Sequence, residues 1–237
     1  MFNFILKLID SLVWPLLIIV LIWLVFFIDV KFSLELNSLG MRPRNLSGLI
    51  GIFTMPFLHG SFDHLFSNSV PLLLSMGFIF LYFDSIKGKI IIYNVLLTGL
   101  ILWGLGEPKS LHIGASGLVY AFIFFIVTHA FLSKNKEMIA AAFILVFLYG
   151  GLIYGLFPEY GLLVGKNISW EGHLAGAISG VLFAIVFRKR GPQQKLYFLD
   201  DDDDDDDDFD EFDYWNITNK ENNQTSVHYH YKEKEDQ

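Results

Sequence analysis

Six long stretches of apolar residues divide this chain, and they constrain its fold more than any other feature. Each has about 17–25 residues, the length that an α-helix needs to cross the roughly 30 Å hydrocarbon core of a bilayer. A helix satisfies its backbone hydrogen bonds internally, which lipid requires. The composition agrees, because 53% of the residues are hydrophobic and only 18% are charged. We therefore predict an all-α, polytopic membrane protein.

Among the connections between the predicted spans, the one after the first is the longest. The first span is too long for the apolar region of a cleavable signal peptide, and no small-residue cleavage site follows it. The long connection, residues 31–63, contains the apolar run LIGIFTMPFLHG, which is too short to cross and is expected to lie in the membrane interface. The six spans are approximately 11–30, 64–83, 89–106, 113–132, 138–157 and 171–187.

Lysine and arginine are distributed unequally between the two sides of this bundle. If the N-terminus is cytoplasmic, nine of these residues lie at inner ends of the spans and five at outer ends. The FRKRG sequence after the sixth span is the clearest inner marker. Because cytoplasmic loops are enriched in positive charge, this pattern predicts that both termini are cytoplasmic.

The charge of the chain changes sign at Asp200. Residues 1–199 contain 14 Lys and Arg against 9 Asp and Glu, whereas residues 200–237 contain 3 against 16, including nine consecutive aspartates. Like charges at this density repel one another, so we expect a six-span membrane domain (1–199) and an acidic, disordered cytoplasmic tail (200–237). The tail is either solvated without chemistry or docks a basic partner. Nothing in the chain indicates nucleic-acid binding.

Polar residues at the starts of three spans indicate a functional site. Such residues are costly inside a membrane and mark function. The second span opens with HLFSN, which puts His64 and Asn68 on one helix face. The fourth span carries Ser116, with Tyr120 one turn below, and the sixth begins WEGHLAGAISG, which contains His173. Alternate spans reverse direction, so the serine, the two histidines and the asparagine are predicted to gather at one depth on the outer side.

Glycines in the fourth and sixth spans predict that these two helices are in close contact. Gly176 and Gly180 lie on the same helix face as His173, and Gly117 follows Ser116. Small residues let helix backbones approach closely in membranes. This contact would bring the Ser116 hydroxyl within hydrogen-bond reach of the His173 imidazole.

These residue types fit nucleophilic catalysis. The Ser116 hydroxyl is a poor nucleophile until a base takes its proton, and His173 is suited to that role near neutral pH. No Asp or Glu is placed to orient the imidazole, so we expect a dyad supported by stacking of Tyr120. His64, Asn68 and the backbone N–H of Ser116 are candidate donors to the oxyanion of a tetrahedral intermediate.

Three motifs together resemble those of the rhomboid intramembrane serine proteases. They are HGSFDHLFSN entering the second span, GASG in the fourth and GHLAGAISG in the sixth. The resemblance covers most of residues 50–187. It implies cleavage of transmembrane segments of other proteins near the outer face of the bilayer, most simply in a bacterial inner membrane, with no cofactor.

The resemblance also implies roles for individual residues. It implies a catalytic dyad of Ser116 and His173, with an oxyanion site formed by His64, Asn68 and the Ser116 amide.

Three further residues and one segment match features that recur in the family. Gly114 is expected to shape the loop before the serine, and Tyr120 to stack on the catalytic histidine. His59 is expected to be structural, tying the interfacial connection to the body. The fifth span and the loop Pro158–Glu171 are expected to gate substrate entry.

Two features common in the family are missing. The Trp-Arg pair of the interfacial connection is absent, with Ile50 and Gly51 about where it would be, and the acidic residue near the inner end of the second span has no clear counterpart unless Asp84 replaces it. These departures concern the architecture of the loops more than catalysis.

Two other functional classes remain open. One is a non-catalytic rhomboid-like protein that binds client transmembrane helices, although such proteins tend to lose the serine or the histidine. The other is a transporter or channel, which would have polar residues across the whole bilayer depth. A zinc peptidase is disfavoured, because the chain has no H-E-x-x-H motif and no cysteine. The oligomeric state and the physiological substrate are left open.

Overall fold

The structure is a computed structural model that describes residues 2–159 and 169–194, and within these ranges it confirms the all-α fold. A single antiparallel bridge between Met41 and His112 is the only β-pairing among the described residues. The acidic tail, 200–237, lies outside them. The α-helices are α1 (Phe2–Phe32), α2 (Gly51–Thr54), α3 (Phe62–Tyr82), α4 (Lys87–Leu105), α5 (Ser116–Ser133), α6 (Lys136–Tyr149) and α7 (Trp170–Val186). Short 3₁₀-helices cover Leu36–Leu39, Leu46–Ile50, Met55–Phe57 and Gly150–Leu156.

Among the described residues, five helical stretches are long and apolar enough to cross a bilayer. They are Ile5–Phe32, Phe62–Tyr82, Lys87–Leu105, Ser116–Ser133 and Lys136–Leu156. These correspond to the first five predicted spans. The counterpart of the sixth, α7, is apolar but has only 17 residues, the lower limit for a crossing helix.

Two boundaries differ from the prediction. The first helix begins at Phe2 rather than near residue 11, because the strong helix formers in FILKLID continue it inward. The fifth predicted span changes from α-helix to 3₁₀-helix at Gly150, because two adjacent glycines weaken the α-helix there.

The connection between α1 and α3 packs on the helical body. Met41, Ile52 and Met55 are buried in one cluster with Leu102 of α4 and Ala175 of α7. This packing places the connection against the two helices that flank the start of α5.

Other apolar side chains of the same connection point away from the body. Leu46, Ile50 and Phe53 are each more than half exposed. An apolar outer surface of this kind suits contact with lipid at the membrane interface.

Two side-chain hydrogen bonds and one between the backbones of Arg44 and Trp103 (2.9 Å) anchor this connection to the end of α4. The Trp103 indole donates to the carbonyl of Asn45 (2.9 Å), and Arg44 Nε donates to the carbonyl of Gly104 (3.3 Å). In this chain a tryptophan from α4 and an arginine from the connection thus fasten the loop from which the family's Trp-Arg pair is missing.

Asp84 lies two residues after the end of α3. It pairs with Lys87 at 2.5 Å, and its side chain is largely exposed. An exposed pair of this kind contributes little to stability. We therefore find no buried acidic anchor at this position.

The helix α5 lies at the centre of the body and α1 at its edge. Of the best membrane-crossing window in each helix, 67% is buried in α5 but only 17% in α1. The side chains of Phe122, Phe125 and Ile126 are fully buried. Among the described membrane-crossing helices, α5 is therefore the most enclosed.

The helices α5 and α7 touch through their backbones. A Cβ added to Gly176 would overlap the carbonyl of Gly117, and one added to Gly180 would overlap the carbonyl of Ala121. These are the small residues that the sequence places between the two spans. With no side chain in the way, dispersion contacts between the backbones hold the helices together.

Candidate active site

Ser116 is the first residue of α5 and follows a tight turn. Gly114 has a φ of +107°, a conformation that residues with a side chain rarely adopt, and its amide donates to the carbonyl of Met55 (2.9 Å). The first amides of an α-helix have no acceptor within the helix. The turn therefore presents the hydroxyl of Ser116 beside backbone N–H groups at the positive end of the helix dipole.

His173 lies in the first turn of α7 and faces this hydroxyl. Its Nε2 is 2.9 Å from Ser116 Oγ. The imidazole is buried, whereas Ser116 is half-buried. The close backbone contact between α5 and α7 makes this short distance possible.

Tyr120, one turn below Ser116, stacks on the imidazole. The ring centroids of Tyr120 and His173 are 4.2 Å apart and their planes differ by 8°. The Tyr120 hydroxyl donates to the carbonyl of Leu152 in the 3₁₀-helix after α6. Stacking fixes the plane of the imidazole, and the hydroxyl joins the stacked pair to the fifth span.

A backbone carbonyl fixes the rotation of the imidazole within that plane. His173 Nδ1 is 2.9 Å from the carbonyl oxygen of Gly155. A carbonyl can only accept, so Nδ1 carries the proton and Nε2 presents its lone pair to Ser116. The bonding around His173 is thus that of a general base.

The role of Gly155 was not predicted from the sequence. The acceptor for Nδ1 is a main-chain carbonyl and not a carboxylate. Any residue type could supply it, so no residue type in the sequence marks it. The one available signal is the glycine itself, since a Cβ there would overlap the Tyr120 hydroxyl and lie 3.0 Å from His173 Nδ1. The gating loop predicted at Pro158–Glu171 lies largely outside the described residues.

Nitrogen atoms of His64 and Asn68 surround Gly114. A Cβ added to Gly114 would lie 2.6 Å from His64 Nε2 and 3.5 Å from Asn68 Nδ2. Both nitrogens therefore lie close to the loop that carries Ser116. Neither side chain is hydrogen-bonded to Ser116 or His173 among the described residues, so both remain available to a third group.

His59 holds the amide of Asn68. Asn68 Nδ2 and His59 Nε2 are 3.1 Å apart, and the His59 ring contacts the edge of the His64 ring, with centroids 4.9 Å apart. Burial, and secondarily the neighbouring His64, lower the pKa of His59 to about 4, against a smaller opposing effect of the Phe57 backbone. A neutral His59 accepts one N–H of the amide, which leaves the second N–H of Asn68 for another acceptor.

Comparison with known proteins identifies relatives across this whole region. The family model for the Rhomboid domain matches residues 47–190. An uncharacterized protein of Mycobacterium tuberculosis is 32% identical over 185 residues, which is 75% of this chain and 74% of that protein. An uncharacterized protein of Mycobacterium leprae is 32% identical over 186 residues, 74% of this chain and 70% of that protein. Rhomboid-related protein 1 of Caenorhabditis elegans is 29% identical over 137 residues, 55% of this chain and 37% of that protein.

Proposed function

Because this chain belongs to the rhomboid family, we propose that it is an intramembrane serine endopeptidase that uses Ser116 and His173. The observation that carries the proposal is the 2.9 Å contact between Ser116 Oγ and His173 Nε2, in an imidazole whose Nδ1 is bound to a carbonyl. This tautomer can take the hydroxyl proton, which a serine needs to lose in order to attack a peptide.

The proposed reaction proceeds through an acyl-enzyme. The proton of Ser116 moves to His173 Nε2 as Oγ bonds to the carbonyl carbon of the scissile peptide. The tetrahedral intermediate then collapses, its C–N bond breaks, and His173 gives the proton to the leaving amine. A water molecule repeats the sequence and releases the acyl group. Throughout, the Nδ1 proton stays on its bond to the carbonyl of Gly155.

The oxyanion of each intermediate needs preorganised donors. The proposed donors are the second N–H of Asn68 and a ring N–H of His64, whose nitrogens lie close to Gly114, and the backbone N–H of Ser116 two residues further along the chain. A donor aimed at the developing charge typically contributes about 3–4 kcal/mol to transition-state stabilisation. The helix dipole of α5 adds to this, because Ser116 is at its N-terminus.

The proposed topology has six spans, with α7 as the sixth, both termini in the cytoplasm and the site opening to the outer side. The excess of lysine and arginine at the inner ends supports this orientation. The connection with exposed Leu46, Ile50 and Phe53 would then lie in the outer interface. The mycobacterial relatives favour a bacterial cell membrane.

The proposed substrates are transmembrane segments of other membrane proteins, which reach the site from the bilayer. An intact helix hides its amides in internal hydrogen bonds, so a segment must unwind before Ser116 can attack it. Small and helix-weakening residues near the cleavage point should therefore favour cleavage.

The test is covalent labelling with a fluorophosphonate, which reacts with activated serines. Wild-type protein in detergent micelles should be labelled, and Ser116→Ala and His173→Ala should not. Ser75→Ala is the matched control, because it removes a buried hydroxyl that donates to the Pro71 carbonyl of its own helix. Labelling of Ser116→Ala at the wild-type rate would overturn the role of Ser116, because the reactive serine would be another one. No labelling of folded wild type would overturn the proposal and favour a client-binding protein.

A further inference from the structure

His112, in the loop before α5, joins two serines through its imidazole. Its Nε2 is 2.6 Å from Ser110 Oγ and its Nδ1 is 2.6 Å from Ser169 Oγ. The side chain is buried. His112 also exchanges two backbone hydrogen bonds of 2.9 Å with Met41, which join this loop to the connection between α1 and α3. None of the roles proposed above uses this residue.

The hydrogen bonds around His112 form a chain with one direction. Ser110 Oγ donates to the carbonyl of Glu107 (2.6 Å), so it accepts from Nε2–H. Ser169 Oγ accepts the amide of Gly172 (3.2 Å), so its own proton points to Nδ1. A neutral imidazole with its proton on Nε2 satisfies every group in the chain. Burial supports the neutral form by lowering the pKa of His112, against a smaller opposing effect of Glu171.

The contact between His112 and Ser169 runs beside the contact between Ser116 and His173. Each partner of the first pair precedes its counterpart by four residues, and both contacts join positions 57 apart in the sequence. The amide of His173 also donates to the carbonyl of Ser169 (3.1 Å). Both contacts therefore connect the same two segments, one helical turn apart.

Helix capping does not explain the bond to His112. Ser169 is the N-cap of α7, and capping uses the hydroxyl oxygen as an acceptor for Gly172. The hydroxyl proton is not needed for that role, and it is the proton that reaches His112. The bond is thus an addition to the cap.

The helix α7 is held on both sides of His173, by a different kind of contact on each side. On the inner side of His173, Gly176 lies against the backbone of Gly117. On the outer side, Ser169 is bound to His112. His173 is bracketed by these contacts, and the outer one joins the start of α7 to the loop that leads into Ser116.

We propose that His112 is a positioning residue, which through Ser169 holds the start of α7 at the distance from the Ser116 loop that the dyad needs. This inference rests on the proposed function. His112 touches no reacting atom, so it acts on the rate of the chemical step and not on substrate binding.

The first experiment separates turnover from binding in the full-length protein. His112→Phe keeps a ring without its nitrogens. Ser169→Gly removes the hydroxyl, and glycine is itself a tolerated N-cap residue, so the start of α7 is weakened little. Both should lower kcat and the fluorophosphonate labelling rate by about 10- to 100-fold with KM unchanged. His112→Asn, whose carbonyl oxygen can accept from Ser169, should recover part of the loss.

Ser179→Ala is the matched control for this experiment. It removes another buried serine hydroxyl from α7, one that donates to Asn94 Oδ1 (2.9 Å) away from the dyad. It should keep the labelling rate. A loss as large as that of Ser169→Gly would show a general weakening of α7, and an unchanged rate in Ser169→Gly would overturn the role of His112.

A second measurement does not depend on activity. The chain has no cysteine, so Ser116→Cys with His173→Cys supplies the only two thiols for a short bifunctional reagent such as dibromobimane. Cross-linking should be efficient in this background and fall when His112→Phe is added. Cross-linking that is unaffected by His112→Phe would overturn the proposal. If wild type is not labelled, the proposed function fails, while the cross-linking result still decides whether His112 sets the spacing of the two positions.

Discussion

At the scale of single residues, the site depends on which nitrogen of each histidine carries a proton. In His173 the carbonyl of Gly155 holds the proton on Nδ1, and in His59 the amide of Asn68 requires a free lone pair on Nε2. His173 can therefore accept a proton from Ser116, whereas His59 fixes the orientation of the Asn68 amide. Two imidazoles with the same intrinsic chemistry thus take different roles because their partners differ.

Asn68→Ala should slow turnover far more than it weakens substrate binding. The amide N–H meets an oxygen whose negative charge exists only in the transition state, so its loss appears in kcat. We expect a fall in kcat of about 10²- to 10³-fold with a small change in KM, measured on a cleavable transmembrane substrate in proteoliposomes.

The control for this variant is Asn94→Ala. Asn94 is also a buried asparagine, and it bonds to the carbonyl of Ile90 and to Ser179 within the helical body. We expect a lower melting temperature and an unchanged kcat. If Asn68→Ala raised KM and spared kcat, Asn68 would bind the substrate rather than stabilise the oxyanion.

Acid should destabilise the protein partly through His59. Its pKa is about 4 in the folded protein and about 6.5 when unfolded, so between these values the unfolded chain binds more protons. Stability is therefore complete above pH 6.5 and falls as the pH is lowered toward 4. From His59 alone we expect a loss of about 2 kcal/mol by pH 5, measured as thermal unfolding in detergent micelles.

His59→Gln should reduce this pH dependence by the same amount. Its amide can still accept from Asn68 but does not titrate in this range. The pKa of His112 is also lowered by burial, but His112 is present in both proteins, so its contribution cancels in the comparison. Equal pH dependence in the two proteins would show that His59 is not kept neutral by the fold.

At the scale of elements, the 3₁₀-helix Gly150–Leu156 connects the fifth span to the dyad. Its carbonyls at Leu152 and Gly155 accept from Tyr120 and His173. The preceding stretch is loosely enclosed, since only 22% of the best window in Lys136–Leu156 is buried. Small movements of this element would change the orientation of the imidazole.

Gly155→Ala should therefore lower the proposed protease activity without unfolding the protein. The added Cβ would overlap the Tyr120 hydroxyl and press on His173 Nδ1, so the segment must shift and its carbonyl must leave the imidazole. We expect kcat to fall by about 10- to 100-fold, since a misplacement of about 1 Å can cost that much. Fluorophosphonate labelling should fall with it.

Gly151→Ala is the matched control in the same 3₁₀-helix. A Cβ added there meets no heavy atom within 4 Å, so we expect wild-type kcat and melting temperature. Equal effects of the two substitutions would mean that the 3₁₀-helix needs both glycines for its backbone, and that contact with His173 is not the cause.

The elements could be predicted from the sequence where the apolar pattern is long and ends in polar residues. The approach of α5 and α7 followed from Gly117, Gly176 and Gly180, because lack of a side chain is visible in a sequence. The 3₁₀-helix and the role of the Gly155 carbonyl could not be predicted from the sequence. A backbone acceptor depends on where the chain runs, and the sequence distinguishes it from other carbonyls only by an easily overlooked glycine.

At the scale of the whole molecule, the site needs the starts of α3, α5 and α7 at the same end of the bundle. His64, Ser116 and His173 lie near those starts and come together beside Gly114 and Ser116. This gathering was predictable, because antiparallel neighbours bring every second helix start to one side. The hydrogen bonds of the His112 loop were not, because they depend on the detailed path of two irregular segments.

The orientation of the bundle can be measured with a pair of lysine replacements. Lys109, in the loop before α5, and Lys136, at the start of α6, are both exposed. In intact cells we expect Lys109→Cys to react with a membrane-impermeant maleimide, and Lys136→Cys to react only after permeabilisation, because the proposed topology puts the start of α5 outside and the start of α6 inside.

Because the chain has no native cysteine, no background thiol reacts, and the maleimide labels only the introduced residue. The unsubstituted chain serves as the blank. Labelling of Lys136→Cys in intact cells, with Lys109→Cys protected, would invert the orientation and put the dyad at the cytoplasmic surface.

The oxygen behind the imidazole of His173 belongs to the main chain, and this matters for how the activity can be lost in evolution. Every residue type has a main-chain carbonyl oxygen, so a substitution at position 155 cannot remove this acceptor. It can only move the acceptor by changing the path of the backbone. Two relatives that both have the serine and the histidine can therefore differ in proteolytic activity although their aligned sequences look alike. Only their structures would distinguish the active relative from the inactive one.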